Sequence, residues 1–372
     1  MRHILVACDK FKGSLDAAEA CAAIGRGLAR RWPDALIECC PIADGGEGFA
    51  TALAVPLGGR WITCEARDAL DRPIVARYLL ADGTDGPLAV MEMAEASGMW
   101  RIQPAERDIL RAQTFGTGMM IRHAAEVSRA ARIVLGIGGS ATNDGGAGMA
   151  AALGVDLLDA QVAALLPHPG ALAGRLARVD VTRRIPLPLV TAACDVASPL
   201  LGPTGATRVF GPQKGADEAT IPVLEQALQA LARASGGEDL AATPGAGAAG
   251  GLGFGLLCFA DASLVPGFDL LADLTGLVER IAAADLVVTG EGSLDGQSLE
   301  GKGPVGIARL AKARGKPVWA FCGSADAAAA GSGLFDRIGE LRATGLPHGE
   351  LMTRAGELLE SLAGSAAGGI TA

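Results

Sequence analysis

Short apolar runs alternate with helical segments at both ends of this chain, and that alternation limits the folds open to it. Residues 3–8 form an apolar run, Ser14 is predicted to cap a helix that ends at Trp32-Pro33, and a second run covers residues 36–42. Near the other end, residues 286–289 and 318–321 are predicted strands that flank a helix over residues 305–313. Such βαβ units require a parallel sheet, so both ends predict an α/β fold.

The sequence changes character near residue 60. Three apolar stretches, at residues 61–66, 74–80 and 88–93, are separated by the turn signals Asp71-Arg72-Pro73 and Asp82-Gly83, which indicates antiparallel strands. A chain of 372 residues also exceeds the size of one hydrophobic core, so two domains are expected. We predict a discontinuous α/β domain over residues 1–60 and 285–372, with a mixed-sheet α/β domain over residues 61–284 inserted into it.

Composition argues against several classes of partner. The formal net charge of -9 and the pI near 5.1 argue against nucleic acid and anionic membranes, because both require a basic face. The most apolar long stretch, residues 245–260, is too short and too rich in glycine to span a bilayer. The eight cysteines lack zinc-ligand spacing, and the N-terminus lacks the layout of a signal peptide. We therefore expect a cytoplasmic protein with reduced thiols and small-molecule partners, whose oligomeric state stays open.

A glycine-rich loop follows the apolar run at residues 133–135. The loop, residues 136–148, contains six glycines and leads into an alanine-rich helix. Glycine lets backbone N–H groups approach an anion closely, and a helix N-terminus adds partial positive charge. We predict a phosphate site here with Asp144 beside it. The residues predicted to hold the phosphate are Gly138, Gly139, Ser140 and Asn143.

The same loop also fits a dinucleotide fingerprint. Residues 136–141 match G-x-G-x-x-A, and Asp156 and Asp159 lie where a ribose-binding acid is expected. That fingerprint usually opens the first βαβ unit of its domain, whereas this one lies in the middle of the chain. It also leaves the other acid-containing loops unexplained. A nicotinamide-dependent dehydrogenase is therefore kept only as an alternative.

Acidic residues follow most of the predicted parallel strands, whose carboxyl ends are where α/β sheets bind ligands. Lys12 and Lys214 lie close to helix starts in loops of the same kind. Converging carboxylates raise one another's pKa unless a cation neutralises them. Carboxylates, a phosphate site and lysines are the recurring parts of phosphoryl transfer to a hydroxyl. Seven acids take such positions: Asp9, Asp44, Glu47, Asp144, Asp195, Glu291 and Asp295.

Taken together, these loops resemble the bacterial glycerate kinases of the glycerate 2-kinase type. The matching blocks follow the family's order and cover nearly the whole chain: residues 9–14, 43–48, 138–148, 195–202, 209–216, 244–253 and 290–302. Three positions differ from the family pattern. Lys10 stands where serine is usual, Ser198 where asparagine is usual, and Ser293 where arginine is usual.

The resemblance implies phosphorylation of D-glycerate by ATP with Mg²⁺, commonly at the 2-hydroxyl. It also implies two α/β domains, one flavodoxin-like and discontinuous and the other inserted, with the active site in the cleft between them. Two other classes are kept as alternatives: a nicotinamide-dependent hydroxy-acid dehydrogenase and a non-catalytic glycerate-binding regulator.

Each predicted site residue takes a role under this hypothesis. A carboxylate accepts the hydroxyl proton, with Asp195 as the first candidate and Asp144 as the second, and Lys12 stabilises charge on the transferred group. Contacts with glycerate are predicted for Asp9, Asp44, Glu47, Ser198 and Lys214. Contacts with the nucleotide are predicted for Gly138, Gly139, Ser140, Asn143, Glu291 and Lys302, and contacts with Mg²⁺ for Asp295 and Glu291.

Overall fold

The structure, a computed structural model, describes residues 1–43, 45–296 and 303–367. Asp44 and Lys302, both predicted site residues, lie outside these described ranges. The strands are β1 (His3–Cys8), β2 (Leu36–Cys39), β3 (Arg60–Arg67), β4 (Pro73–Gly83), β5 (Gly86–Glu92), β6 (Arg132–Gly136), β7 (Asp156–Leu158), β8 (Arg178–Asp180), β9 (Leu189–Ala193), β10 (Ser263–Val265), β11 (Leu286–Leu294), β12 (Val318–Ala325) and β13 (Arg337–Glu340).

Helices of between four and fifteen residues connect the strands. They are α1 (Ala17–Arg31), α2 (Phe49–Leu57), α3 (Ala94–Ser97), α4 (Phe115–Glu126), α5 (Ala147–Ala152), α6 (Pro169–Leu172), α7 (Ala206–Phe210), α8 (Ile221–Ala234), α9 (Ala248–Phe259), α10 (Gly267–Thr275), α11 (Leu277–Ala283), α12 (Gly303–Lys312), α13 (Ala327–Ala330), α14 (His348–Thr353) and α15 (Ala355–Ala367).

Two compact units make up the chain. Unit 1 comprises Met1–Asp44, Thr51–Gly58 and Phe268–Ala372, and unit 2 comprises Gly45–Ala50 and Gly59–Gly267. The predicted domain boundaries, residues 1–60 with 285–372 and residues 61–284, stay a proposal. Helices α10 and α11 are the main elements over which that proposal and the compact units differ, because unit 1 begins again at Phe268.

Unit 1 is built on a five-stranded parallel sheet with the order β2-β1-β11-β12-β13. Numbered along unit 1 alone, this is the order 2-1-3-4-5 of flavodoxin-like sheets. The chain reverses its direction of winding between β1 and β11, where Ile4 lies opposite Leu286. In such sheets ligands bind at the carboxyl ends of the two strands at this reversal. The predicted α/β class with a flavodoxin-like parallel sheet is confirmed.

Helix α1 shows how local sequence sets an element of unit 1. Its buried face includes Ile24 and Leu28, which lie one helical turn apart and pack against the sheet. The Asp16 carboxylate accepts from the Glu19 amide at 2.7 Å, and the Glu19 side chain accepts from the Asp16 amide at 3.0 Å, which forms a capping box. The prediction that Ser14 caps this helix was wrong. The Ser14 hydroxyl instead donates to the Phe11 carbonyl, within the turn before the helix.

Unit 2 is built on a six-stranded mixed sheet with the order β10-β9-β6-β5-β4-β3. Strands β3, β4 and β5 pair antiparallel, as the sequence predicts, whereas β5, β6, β9 and β10 pair parallel. Strands β7 and β8 form a separate antiparallel pair. The parallel half of the large sheet directs the loops after β6 and β9 to one edge, which explains why two of the acid-bearing loops belong to unit 2.

Candidate functional site

The predicted site residues of unit 1 meet at the reversal point of its sheet. Asp9 and Lys12 follow β1, and Glu291 lies in the last part of β11. All three line one cavity of about 900 Å³. The loop after β1 and the end of β11 approach so closely that a Cβ at Gly292 would lie 3.3 Å from the Lys12 amide nitrogen. The sequence alone placed these residues at strand ends, and the structure brings them together.

The Asp9 carboxylate lies beside the start of a helix. Its Oδ1 accepts from the Lys10 amide at 2.6 Å. A Cβ on Gly303, the first residue of α12, would lie 3.6 Å from Asp9 Oδ2. The partial positive charge of a helix N-terminus therefore lies beside the Asp9 carboxylate at the edge of the cavity.

Two carboxylates near the end of β11 are the predicted magnesium ligands. Glu291 is half-buried in the cavity wall, and Asp295 Oδ2 accepts from the Ser293 hydroxyl at 3.2 Å. Among the residues that the structure describes, no group of three or more His, Cys, Asp or Glu side chains could hold a metal ion. Mg²⁺ at nucleotide sites commonly takes only one or two protein carboxylates, the remaining ligands being phosphate oxygens and water. Glu291, which lines the cavity, can supply one such carboxylate, and a contact of Asp295 with the ion stays a prediction.

The glycine-rich loop of unit 2 packs more tightly than a phosphate cradle requires. A Cβ at Gly138 would lie 2.6 Å from the Gly46 Cα, and one at Gly148 would lie 2.4 Å from the Phe115 nitrogen. The Gly138 amide already donates to the Gly45 carbonyl at 3.2 Å. These glycines are therefore needed for close approach of neighbouring backbone. A phosphate contact at Gly138 and Gly139 stays a prediction.

Asp144 occupies the anion position that this loop creates. Its carboxylate is 1% exposed, and its Oδ2 accepts from the Thr114 amide and hydroxyl, both at 2.8 Å, and from the Gly148 amide at 3.0 Å. Its Oδ1 accepts from the Gly146 amide at 3.2 Å. Burial raises the pKa of Asp144, and these hydrogen bonds oppose the rise. The amides of Gly146 and Gly148 in this loop, which are not the residues predicted to hold the phosphate, thus hold a carboxylate of the chain itself. This favours a structural role for Asp144.

Lys214 is buried against the same loop. Its ammonium group donates to Ser140 Oγ at 2.7 Å and to the Thr142 carbonyl at 2.8 Å, and the residue is 3% exposed. Burial lowers its pKa to about 7, while the negative charge of Asp144 opposes that shift. The cavity beside Lys214 measures about 10 Å³, which is room for about one water molecule. Lys214 therefore cross-links the loop, and a contact with substrate stays a prediction.

Asn143 also lies in the interior of unit 2, where its side chain forms a hydrogen bond. It is fully buried, and its Nδ2 donates to the Thr207 hydroxyl at 2.9 Å. A Cβ at Gly250 would lie only 1.9 Å from the Thr142 carbonyl oxygen, because α9 runs against this loop. At the start of α9 three successive residues, Ala249, Gly250 and Gly251, have positive φ. The loop is thus clamped between α7 and the distorted first turn of α9.

The remaining predicted residues lie after β9 and before α2. Asp195 is half-buried, and its Oδ1 accepts from the amide of Gly267 at 3.1 Å, at the start of α10. Ser198 is half-buried, and its carbonyl accepts from the Gly247 amide at 2.9 Å. Glu47 is exposed. The roles of these three residues stay predictions.

Sequence reasoning missed Glu92, at the carboxyl end of β5. Its carboxylate is 8% exposed and accepts from the Gly48 amide at 3.0 Å and the Ala50 amide at 2.8 Å. These amides belong to the start of α2, so the charge complements the helix dipole. Burial raises the pKa of Glu92. The sequence feature that could have identified Glu92 is its position as an acid near the end of the apolar run at residues 88–93.

The dinucleotide alternative finds no support in the acids it requires. Asp156 forms an ion pair with Arg183, and the Asp159 carboxylate accepts from the amides of Gln161 and Ala163 within its own turn. Both acids are therefore engaged in local structure. Within the described ranges, no helix is long and apolar enough to cross a membrane.

Comparison with known proteins places the chain in one family. The model of the glycerate kinase family matches residues 4–370. A glycerate kinase of Halalkalibacterium halodurans is 43% identical over 87% of this chain and 86% of its own length. A glycerate 2-kinase of Escherichia coli is 41% identical over 86% of this chain and 85% of its own length.

A solved structure agrees with these sequence matches. A crystal structure provisionally described as glycerate kinase 2 from Salmonella typhimurium LT2 has a TM-score of 0.87 and 37% sequence identity. The alignment covers 99% of this chain and 98% of that chain, so both units are included. By sequence over nearly its whole length, and by fold, this chain belongs to the glycerate kinase family.

Proposed function

We propose that this chain transfers the γ-phosphoryl group of ATP to the 2-hydroxyl of D-glycerate. The observation that carries the proposal is the family match over residues 4–370. The name of the E. coli relative, glycerate 2-kinase, supports the choice of the 2-hydroxyl. Neither the dehydrogenase nor the regulator alternative gains comparable support from any relative.

The charged residues of unit 1 suit phosphoryl transfer. Lys12 is exposed at the cavity mouth, where its ammonium group would neutralise charge on the transferred phosphoryl group. Asp9 lies in the same cavity, already oriented by the Lys10 amide. Such transfers depend on positioning and electrostatic stabilisation more than on covalent chemistry, so fixed charges at a reversal point of the sheet are what the reaction requires.

Glu291 and Asp295 are the residues that would hold Mg²⁺. When bound, the ion would neutralise charge on the phosphate oxygens of the nucleotide. Glu291 lies in β11, which is held in parallel register with β12, and lines the cavity, while Asp295 directly follows that strand. Their number matches what Mg²⁺ takes from a protein when phosphates complete its ligands.

Asp195 is the residue that we propose as the acceptor of the glycerate hydroxyl proton. It is half-buried rather than fully enclosed, and the Gly267 amide fixes one of its oxygens. Asp144, the second candidate from the sequence, is fully enclosed and accepts four hydrogen bonds. A proton acceptor must reach the substrate hydroxyl, which favours Asp195.

The state of the cysteines bears on where the protein works. All eight are free thiols, and five of them are buried. Burial raises the pKa of the Cys322 thiol to about 12 and that of Cys64 to about 11, so these groups are unreactive at neutral pH. We propose that the chain functions in the reducing cytoplasm, where such thiols persist.

Release of ADP tests the proposed function. With D-glycerate, ATP and Mg²⁺ present, a coupled assay should detect ADP, and omission of glycerate should abolish the signal. L-glycerate, tartronate and glycolate serve as substrate controls. Absence of ADP release across this panel would overturn the proposal. A change in nicotinamide absorbance with glycerate would instead support the dehydrogenase alternative.

A further inference from the structure

The cavity at the reversal point of unit 1 has a second wall that the proposed chemistry does not use. Its first wall consists of the loop after β1 and the last residues of β11 and β12, including Lys12 and Glu291. Its second wall comes from the C-terminal part of the chain, between the end of β13 and the start of α15. Several apolar side chains from that segment line the cavity, among them Leu346, Leu351 and Met352.

The two walls belong to one packed structure. Gly13 has a φ of +82°, and a Cβ there would lie 3.0 Å from the terminal carbon of Met352. A Cβ at Gly356, in α15, would lie 3.7 Å from Leu15. The loop after β1 thus packs directly against α14 and α15. The cavity is a formed feature of unit 1 that is lined by both polar and apolar side chains.

The chemistry of these walls suits a ligand with an anionic part and a flat apolar part. Lys12 and Arg342 supply positive charge, and His348 adds a further polar group at the rim. Leu346, Leu351 and Met352 supply an apolar surface, and methionine in particular makes favourable contacts with aromatic rings. A cavity of about 900 Å³ is at the upper end of the size range for small-molecule sites.

Glycerate does not account for this second wall. Each of its three carbons carries oxygen, so it has no apolar part for three adjacent hydrophobic side chains to cover. Burial of apolar surface gives binding energy only when the ligand also presents apolar surface. The ligand that contacts both walls must be larger than glycerate and must join an apolar part to a charged group.

We propose that this cavity of unit 1 binds the adenine nucleotide, with the base against Leu346, Leu351 and Met352 and the phosphates toward Lys12 and Arg342. The proposal rests on the proposed function, since it assigns the site of that reaction's phosphate donor. It moves the main nucleotide contacts from the glycine-rich loop of unit 2 to the C-terminal segment of unit 1. It also gives roles to Arg342 and Met352, which the sequence did not single out.

Equilibrium binding of nucleotide tests the assignment without turnover. ADP that carries a fluorescent methylanthraniloyl group on its ribose is titrated into the full chain and into two variants, Arg342→Ala and Met352→Glu. Each substitution should raise the Kd for this probe about tenfold or more, which corresponds to about 1.4 kcal/mol. The rise for Arg342→Ala should shrink at high salt, because that contact is electrostatic.

Matched controls come from the same unit. Arg314→Ala removes an exposed arginine just after α12, and Leu36→Glu introduces the same acid at an exposed apolar position on β2. Both should keep the Kd of the unsubstituted chain. In steady-state assays, the two cavity variants should raise KM for ATP by the same factor as Kd and leave KM for D-glycerate unchanged.

A labelling experiment on the unsubstituted chain tests the same site without relying on a variant that could fail to fold. ADP with an azide on its adenine ring is cross-linked to the unsubstituted chain by light, and the labelled peptide is identified by mass spectrometry. Label within residues 341–355 supports the proposal, and label within residues 136–148 overturns it. A Kd for both cavity variants within twofold of the controls, or a rise in KM for glycerate alone, also overturns it.

These outcomes distinguish an error in the proposed nucleotide site from an error in the proposed function. If the cavity variants keep a normal Kd while the chain phosphorylates glycerate, the nucleotide site is wrong and the proposed function stands. If the cavity binds the nucleotide but no glycerate is phosphorylated under any condition, the function is wrong and the nucleotide site stands.

Discussion

At Asp144 the sequence correctly indicates an anion beside backbone amides, but it does not indicate which group supplies that anion. The sequence predicts an anion beside the backbone amides of a glycine-rich loop, and the structure provides one in the Asp144 carboxylate. Two of its four donors belong to Thr114, thirty residues away in sequence. No local pattern could reveal that pairing. The strand and the loop were therefore predictable, but the identity of the anion was not.

Substitution of the two candidate proton acceptors should give opposite results. Asp195→Asn keeps an oxygen for the Gly267 amide and removes the acceptor of the proton, so kcat should fall about 100-fold or more with little change in stability. Asp144→Asn puts an amide among four donors, so the free energy of unfolding should fall by about 2 kcal/mol or more. Steady-state kinetics and urea denaturation of both variants measure these effects. A kcat loss confined to Asp144→Asn, with stability kept, would reverse the two assignments.

The lowered pKa of Lys214 predicts that the contribution of this residue to stability increases as the pH rises. Burial lowers this pKa from 10.5 to about 7, and Asp144 is the charge that opposes the shift. Between these two values the unfolded chain holds a proton that the folded chain has lost, so stability rises with pH. The free energy of unfolding of the unsubstituted chain, minus that of Lys214→Met, should therefore increase across this interval. The slope should approach about 1.4 kcal/mol per pH unit. A constant or falling difference would show that the buried amine is not neutral there.

At the scale of elements, helices and strands were predicted where a local pattern of apolar residues and turn signals marks them. The backbone was not predicted where contacts between residues distant in sequence determine it. Strands β3, β4 and β5 follow from apolar runs between turn signals, and their antiparallel pairing is confirmed. The distorted first turn of α9 was not predicted, because its left-handed residues are fixed by contact with the loop at residues 142–145. Glycine-rich sequence indicates unusual backbone but does not say what approaches it.

A pair of glycines separates backbone strain from close packing. Gly250 and Gly236 share a φ of +69°, but a Cβ at Gly250 would lie 1.9 Å from the Thr142 carbonyl, whereas one at Gly236 would meet nothing within 4 Å. Gly236→Ala should lower the free energy of unfolding by about 1 kcal/mol from strain alone. Gly250→Ala should cost about 2–5 kcal/mol, because overpacking adds to that strain. Denaturant unfolding measures both, and equal losses would show that the loop does not contact α9 closely.

At the scale of the whole molecule, the order of the strands along the chain was enough to predict the parallel sheet, but not all of the residues that line its cavity. The βαβ units at both ends predict one parallel sheet, and the order β2-β1-β11-β12-β13 confirms it. The reversal between β1 and β11 then explains why Asp9, Lys12 and Glu291 share a cavity although nearly three hundred residues separate the first from the last. Arg342 and Met352 could not be foreseen, because the packing of α14 brings Met352 to this cavity and the turn after β13 brings Arg342 to it.

The central claim is that the chain phosphorylates the 2-hydroxyl of D-glycerate, and phosphorus NMR of the reaction product tests it most directly. Phosphate on carbon 2 couples to one proton and gives a doublet, whereas phosphate on carbon 3 couples to two protons and gives a triplet. With ATP, Mg²⁺ and D-glycerate, we expect a new phosphomonoester doublet that grows as ADP appears. A triplet would contradict the position of transfer, and no new phosphomonoester signal would contradict the claim as a whole.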